Sequence, residues 1–272
     1  MYLPTKEQAE VFKQDIKQNI YKISGYTVAI VLASDDEASR KYVNSKIKLL
    51  NEFGIKYIFY DIEPKYETVY NLVDSLAKDD NINAIMLELP LGNNIDSSDV
   101  IELIPYYKDV DGITNYNIGR LFKNKKGVLP CTVKAVKKIL EYNSIDVSGK
   151  NVAVVGRSLI AGKPLSVFFT NNNATVTLCH TKTTNLKDIL RGSDIVAVAV
   201  GKKQFFGSEY FKKDAIIIDI GTNYCEGRVY GDVGDVSTPY NKVTPVPGGV
   251  GLFTALSMID NLIDIASLSK NN

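Results

Sequence analysis

The sequence is poor in the residues that hold metals. Its 272 residues include one histidine, His180, and three cysteines, Cys131, Cys179 and Cys225, scattered along the chain. That set assembles no familiar His/Cys zinc site, and no metal is implied. An odd, dispersed cysteine count makes no disulfide framework. It fits a reducing compartment, with the cysteines as packing residues rather than nucleophiles. Charge of one sign is also lacking: 32 Lys and Arg face 31 Asp and Glu, which gives no basic field for nucleic acid. No apolar run reaches the ~18 residues of a membrane span. The opening MYLPTKEQAEVFKQDI is polar and periodic, unlike a signal peptide. A cytoplasmic globular protein that binds neither nucleic acid nor membrane is expected. Its length suggests two domains, since a typical domain has about 100–150 residues.

What is present is concentrated in residues 151–181, NVAVVGRSLIAGKPLSVFFTNNNATVTLCHT. Val152-Ala153-Val154-Val155 reads as a buried strand. It runs into Gly156-Arg157-Ser158, with Gly162 close behind and Pro164 in the first turn of the next helix, a place proline tolerates. A second strand-like run spans residues 174–178. Strand, glycine turn, helix, strand is the unit that holds a dinucleotide by its phosphates at a helix N-terminus. A site selective for NAD places a carboxylate after the second strand. Here the chain reads Cys179-His180-Thr181-Lys182. A cation at Arg157 and hydroxyl donors, with no competing acid, suit a 2′-phosphate. NADP is therefore expected over NAD, with NAD use left open.

The rest of the chain alternates. Thr5 caps a helix over residues 5–19. Strands are expected over 27–32, 56–60 and 84–89, and helices over 35–53, 65–77 and 97–105. Gly54 ends the second helix. Alternating βαβ order implies parallel sheets covered by helices. Residues 111–119 look like a crossing between domains, followed by a helix over 132–142. Strand-like runs at 195–200 and 215–220 end at Gly201 and Gly221, and an apolar helix over 254–267 closes the chain. The fold class expected is α/β: an N-terminal parallel-sheet catalytic domain (1–117 plus 252–272), a Rossmann-type dinucleotide-binding domain (118–251), and a C-terminal helix returning to the first.

These motifs, with residues 245–251 (PVPGGVG), Tyr42-Val43 with Lys46, Leu89-Pro90-Leu91, Lys108 to Gly112 (KDVDG) and Pro130-Cys131-Thr132, give the chain its resemblance. It resembles the bifunctional 5,10-methylenetetrahydrofolate dehydrogenase/5,10-methenyltetrahydrofolate cyclohydrolase family, the FolD type, over nearly its whole length. The resemblance implies oxidation of 5,10-methylenetetrahydrofolate with NADP, then hydrolysis of the product to 10-formyltetrahydrofolate. It implies a cytosolic homodimer that takes tetrahydrofolate derivatives. Tyr42 would stack on the folate, Lys46 would serve the cyclohydrolase step, and Asp111 would hold the pterin. Leu89, Pro90, Pro247, Gly248 and Gly249 would line the substrate cleft. Gly156, Arg157, Ser158, Ile160, Gly162 and Pro164 would bind cofactor, with Arg157 and Thr181 at the 2′-phosphate. His180, Thr132, Gly201, Thr222 and Thr254 would complete that site.

The chemistry suits these residues. Tyr42 and Lys46 are four apart on an expected helix and share a face, as does Ser39. An aromatic plate beside an amine suits a flat heterocycle; read from spacing alone, a surface Tyr/Lys pair fits as well. Asp111 is an acceptor for a pterin's donor edge and equally a turn residue before Gly112. The departures from the family are specific. Glu88 stands where Gln is usual, Val133 and Ala135 where Pro and Gly are frequent, Leu252 and Phe253 where Pro and Met are usual, and Thr181 in place of Ser. If Glu88 meets Lys46, it raises the lysine pKa and removes neutral amine, yet it also stabilises a methenyl cation. Hydrolysis present but retuned is expected. The alternatives are a monofunctional dehydrogenase and, further off, a non-catalytic nucleotide-binding module.

Overall fold

The computed structural model describes residues 2–234, 236 and 242–269. The chain divides into two compact units. The first, here the Lys46 unit, holds Lys13–Arg120, Lys125–Cys131 and the chain from Ala255 on. The second, the glycine-turn unit, holds the chain up to Phe12, Leu121–Asn124 and Thr132–Thr254. Helix α1 (Lys6–Asn19) supplies residues to both.

In the Lys46 unit, β1 (Thr27–Leu32), β2 (Lys56–Asp61) and β3 (Ala84–Leu87) form a parallel sheet in the order β2-β1-β3. Strand β1 is buried from Val28 to Leu32, as a central parallel strand covered on both faces must be. Helix α2 (Glu37–Glu52) follows β1. Its N-cap is Asp36, whose Oδ2 accepts from the Ser39 amide at 2.9 Å, and Gly54 with φ of +66° ends it. Helix α3 (Tyr66–Lys78) packs Val69, Val73 and Leu76 against the sheet. Lys108 closes its far end: Nζ donates to the carbonyls of Leu76, Ala77 and Asp79 at 3.4, 2.9 and 2.8 Å. Helix α4 (Ser98–Glu102) is short. Helix α5 (Asn115–Phe122) occupies part of the stretch expected to be a plain crossing.

In the glycine-turn unit, α6 (Cys131–Tyr142) precedes β4 (Asn151–Val155), α7 (Gly162–Asn171) and β5 (Thr175–Cys179). Then come α8 (Leu186–Gly192), β6 (Ile195–Val198) and β7 (Ile216–Asp219). A hairpin of β8 (Asn223–Cys225) and β9 (Arg228–Tyr230) follows, then β10 (Lys242–Val243). The main sheet is parallel in the order β10-β7-β6-β4-β5. Strand order reverses at β4, so the crevice between β4 and β6 at their carboxyl ends is the place where such sheets bind ligands. Residues 2–12 fall in this unit, which differs from a division at 117/118. Leu3 donates from its amide to the Val243 carbonyl at 2.7 Å, and Phe12 stacks on Phe253 with ring centroids 5.9 Å apart.

Helix α9 (Val250–Ser269) ends the described chain. By length and composition its stretch Val250–Leu268 would span a membrane, against the expectation that no such run exists. Its window is 61% buried inside the protein, as a core helix is. In the Lys46 unit it is tied by Asn261, whose Nδ2 donates to the carbonyls of Val110 and Leu129 at 2.8 and 2.9 Å.

Candidate active site

The Lys46 unit gathers four of the expected side chains. One turn of α2 separates Tyr42 from Lys46, and the ammonium lies 4.4 Å from the Tyr42 ring centroid. Glu88 leaves β3 at its carboxyl end, fixed by its amide to the Val31 carbonyl at 2.9 Å. Its Oε2 accepts from Lys46 Nζ at 2.8 Å, and the two side chains are only 8% and 6% exposed. Burial alone would pull the Lys46 ammonium down. The charge of Glu88, with Tyr42 and Asp111, outweighs it and holds the group above its ordinary range. Burial pushes the Tyr42 phenol up to about 12.

Asp111 completes the group, and the motif around it explains its position. Asp109 is fully buried, and its carboxylate accepts from the amides of Ile113 and Thr114 and from Asn117 Nδ2 at 3.2, 2.9 and 2.8 Å. Gly112 has φ of +67°, and a Cβ there would strike the Leu129 carbonyl at 2.5 Å. The Asp111 carbonyl accepts from the Cys131 amide at 3.2 Å. Burial raises the Asp111 carboxyl to about 6; Lys46 opposes the shift, and Glu88 and Asp109 add to it. In KDVDG, therefore, Lys108 caps a helix, Asp109 shapes the following loop, and Asp111 feels the lysine pair. The structural tasks of Lys108 and Asp109 were not read from the sequence. Leu89 is half-buried beside this unit's core and Pro90 is exposed.

In the glycine-turn unit, Gly156 (φ +113°) lies so close to Ala199 that a Cβ would strike its carbonyl oxygen. A Cβ on Gly162 would strike the Gly156 carbonyl, so two backbones touch where the chain enters α7. Ser158 Oγ accepts from the amides of Ala161 and Gly162 at 3.2 and 3.4 Å and so holds the turn that leads into α7. A pocket of about 490 Å³ opens beside this turn. Gly156, Arg157, His180 and Thr181 line it, as do Thr183, Leu186, Val200, Lys202, Phe205 and Phe206. No carboxylate stands among the described residues that line it. His180 is oriented by the Lys182 amide on its Nδ1 at 3.1 Å.

Ser158, Ile160, Gly162, Pro164, Thr132, Gly201, Thr222 and Thr254 do not line that pocket. Pro164 is buried in the first turn of α7, while Ile160 and Thr222 are exposed. Thr254 donates to the Val250 carbonyl within α9 at 2.9 Å. Gly248 (φ +98°) accepts from Thr5 Oγ1 at 2.8 Å, Gly249 is packed against Pro245, and Pro247 is exposed. Lys202 is the cation that sequence reading missed. Its signal was its position directly after Gly201, at the end of the third strand of the sheet. Val133, Ala135 and Phe253, departures from the family pattern, are buried packing residues, and Leu252 is exposed.

A buried lysine–carboxylate pair in one parallel-sheet unit, and a glycine-tight helix start beside a cationic pocket in another, define a two-domain dinucleotide-binding enzyme architecture. Residues 3–111 match the family model of the tetrahydrofolate dehydrogenase/cyclohydrolase catalytic domain, and residues 130–270 match that of its NAD(P)-binding domain. The chain belongs to the tetrahydrofolate dehydrogenase/cyclohydrolase family. Bifunctional protein FolD of Thermodesulfovibrio yellowstonii is 38% identical to it, over 98% of this chain and 97% of that one. The bifunctional FolD structure from Campylobacter jejuni has a TM-score of 0.92 at 33% identity over 99% of each chain. Trypanosoma brucei FolD, solved with NADP and an inhibitor, has a TM-score of 0.92 at 28% identity, over 100% of this chain and 99% of that one.

Proposed function

We propose that this chain oxidises 5,10-methylenetetrahydrofolate with NADP and hydrolyses the resulting 5,10-methenyl cation to 10-formyltetrahydrofolate. The observation that carries the proposal is the buried Lys46–Glu88 pair under the half-buried Tyr42 ring and beside Asp111, in the unit matched as the catalytic domain.

The first half-reaction asks little acid–base work. Hydride leaves the carbon bridging N5 and N10, and the nitrogen lone pairs stabilise the cation. The protein holds donor and acceptor at about 3–3.5 Å and excludes competing reactions. Tyr42 offers a ring face to the folate, and Asp111 accepts from the amino group and ring N–H of the pterin. The NADP choice rests on Arg157, Thr181, His180 and Lys202 around a pocket whose described lining has no acid.

In the second half-reaction water adds to the methenyl carbon and one proton departs. The new hydroxyl then gives up its proton as the C=O forms, and N5 takes one as its bond to carbon breaks. Lys46 is the relay, giving a proton to N5 and recovering one from the hydroxyl. Glu88 keeps Lys46 an ammonium, which favours the donating step and disfavours the accepting one, while the negative charge of Glu88 itself favours the cationic substrate. Hydrolysis is present and retuned. Methenyltetrahydrofolate supplied directly, without NADP, tests this role: Lys46→Gln loses about 100-fold or more in hydrolysis. An unchanged rate overturns it.

The chain is read as a cytoplasmic homodimer without nucleic-acid or membrane partners. Its three free cysteines suit a reducing compartment, and the homodimer follows the family resemblance. Light scattering of the purified protein checks the dimer.

A further inference from the structure

Asp232 is a fully buried carboxylate to which the mechanism gives no task. Its Oδ2 accepts from the amides of Val200 and Gly201 at 2.6 and 3.0 Å. Its Oδ1 accepts from the Lys202 amide at 2.7 Å and from Asn223 Nδ2 at 3.0 Å. Three consecutive backbone amides thus converge on one carboxylate, in the turn that leaves β6, where Gly201 has φ of +64°. The backbone of the same segment holds the rest of the turn. Phe206 donates from its amide to the Asp232 carbonyl at 3.1 Å, and Gln204 to the Gly231 carbonyl at 2.9 Å.

Asp232 is itself fixed from below. The Asp219 carboxylate, at the end of β7, accepts from the amides of Asp232, Val233 and Gly221 at 3.0, 3.0 and 3.1 Å. Gly221 and Gly231 let this happen: a Cβ on either would strike the carboxylate of Asp232 or Asp219 respectively. The turn suspended in this way carries Val200, Lys202, Phe205 and Phe206 into the pocket that Arg157 and His180 also line.

We propose that Asp232 is a positioning residue of the dinucleotide site, fixing the β6 turn in the shape that receives the cofactor. The inference rests on the NADP reading above. A carboxylate is required because four donors need two full acceptor oxygens. An amide has one, and its NH₂ would face donors. Amides left unpaired in a buried turn force it to rearrange.

The test is Asp232→Asn in the full chain, with NADP titrated by calorimetry and steady-state kinetics in both substrates. Kd and KM for NADP rise about tenfold or more, the equivalent of one charged hydrogen bond lost. At saturating NADP, kcat and KM for methylenetetrahydrofolate stay within about twofold, and so does cofactor-free hydrolysis of the methenyl compound. A general folding role would lower all of these together, and that result overturns the proposal. If Asp232→Asn does not fold, Asn223→Ala removes one donor and lets the carboxylate swing. It raises KM for NADP about two- to threefold, and an unchanged value overturns the proposal. NADP binding by the unaltered chain with unchanged affinity in Asp232→Asn defeats this inference alone. Failure of the unaltered chain to bind NADP defeats the cofactor reading beneath it.

Discussion

Lys46 Nζ and Glu88 Oε2 stand 2.8 Å apart with both side chains less than a tenth exposed. Beside that carboxylate the buried lysine keeps its proton well past neutral pH. Glu88→Gln removes the charge that opposes desolvation, so the Lys46 pKa falls. The alkaline limb of the hydrolysis profile moves to lower pH, and the rate near pH 7 rises severalfold. A pH–rate series on both proteins checks this; coincident profiles contradict it.

The same pair sets a stability prediction. The folded Lys46 pKa lies above its ordinary 10.5, so the stabilisation is fully present below that value and is lost as pH rises through the folded one. Lys46→Met strands a buried Glu88 and costs about 3–5 kcal/mol in urea unfolding. Lys46→Met with Glu88→Leu removes both charges and recovers most of that loss. Equal instability in the single and double variants contradicts the account.

Asp111 titrates in an accessible range. Its folded value of about 6 lies above the ordinary 3.8, so its contribution to stability is present below 3.8 and is lost as pH rises through 6. Pterin recognition has the opposite demand, because only the carboxylate accepts from two donors. For the dehydrogenase, kcat/KM for the folate substrate therefore falls as pH drops below about 6. Asp111→Asn lowers the plateau and abolishes that limb. A limb that persists in Asp111→Asn belongs to another group.

Arg157 lines the pocket beside the glycine turn. Arg157→Ala lowers kcat/KM for NADP about 10- to 100-fold, the worth of about 1.5–3 kcal/mol of charged hydrogen bonding, and changes the value for NAD by less than about twofold. Parallel losses for both cofactors would remove Arg157 from the 2′-phosphate.

Much of this was legible in the chain itself. The period of apolar residues placed β1, α2, β2 and α3 within a residue or two, because buried parallel strands and one-sided helices write their burial into the sequence. Gly54 marked the end of α2 by local chemistry alone, and the helix expected from residue 35 begins beside the Asp36 cap. Tyr42 and Lys46 shared a face because four residues make about one turn. Long-range pairings carried no such signal. Helix α5, with sequence NYNIGRLF, reads as a turn-rich crossing until Asn117 is seen bound to Asp109. The β8–β9 hairpin turns on Glu226 and Gly227, both at positive φ, in strands of three residues, too short for a period to show. The nest of amides on Asp232 joins residues about thirty positions apart. The N-terminal segment's place in the glycine-turn unit depends on β10, a two-residue strand.

One coupled spectrophotometric measurement tests the central claim most directly. Purified protein is mixed with 5,10-methylenetetrahydrofolate and NADP, and NADPH and the methenyl absorbance are followed together. The account predicts NADPH formation, with methenyl absorbance decaying faster than in buffer alone. NADPH with methenyl accumulating and decaying only at the buffer rate would reduce the protein to a dehydrogenase. No NADPH, and no NADH when NAD replaces NADP, would contradict the account outright.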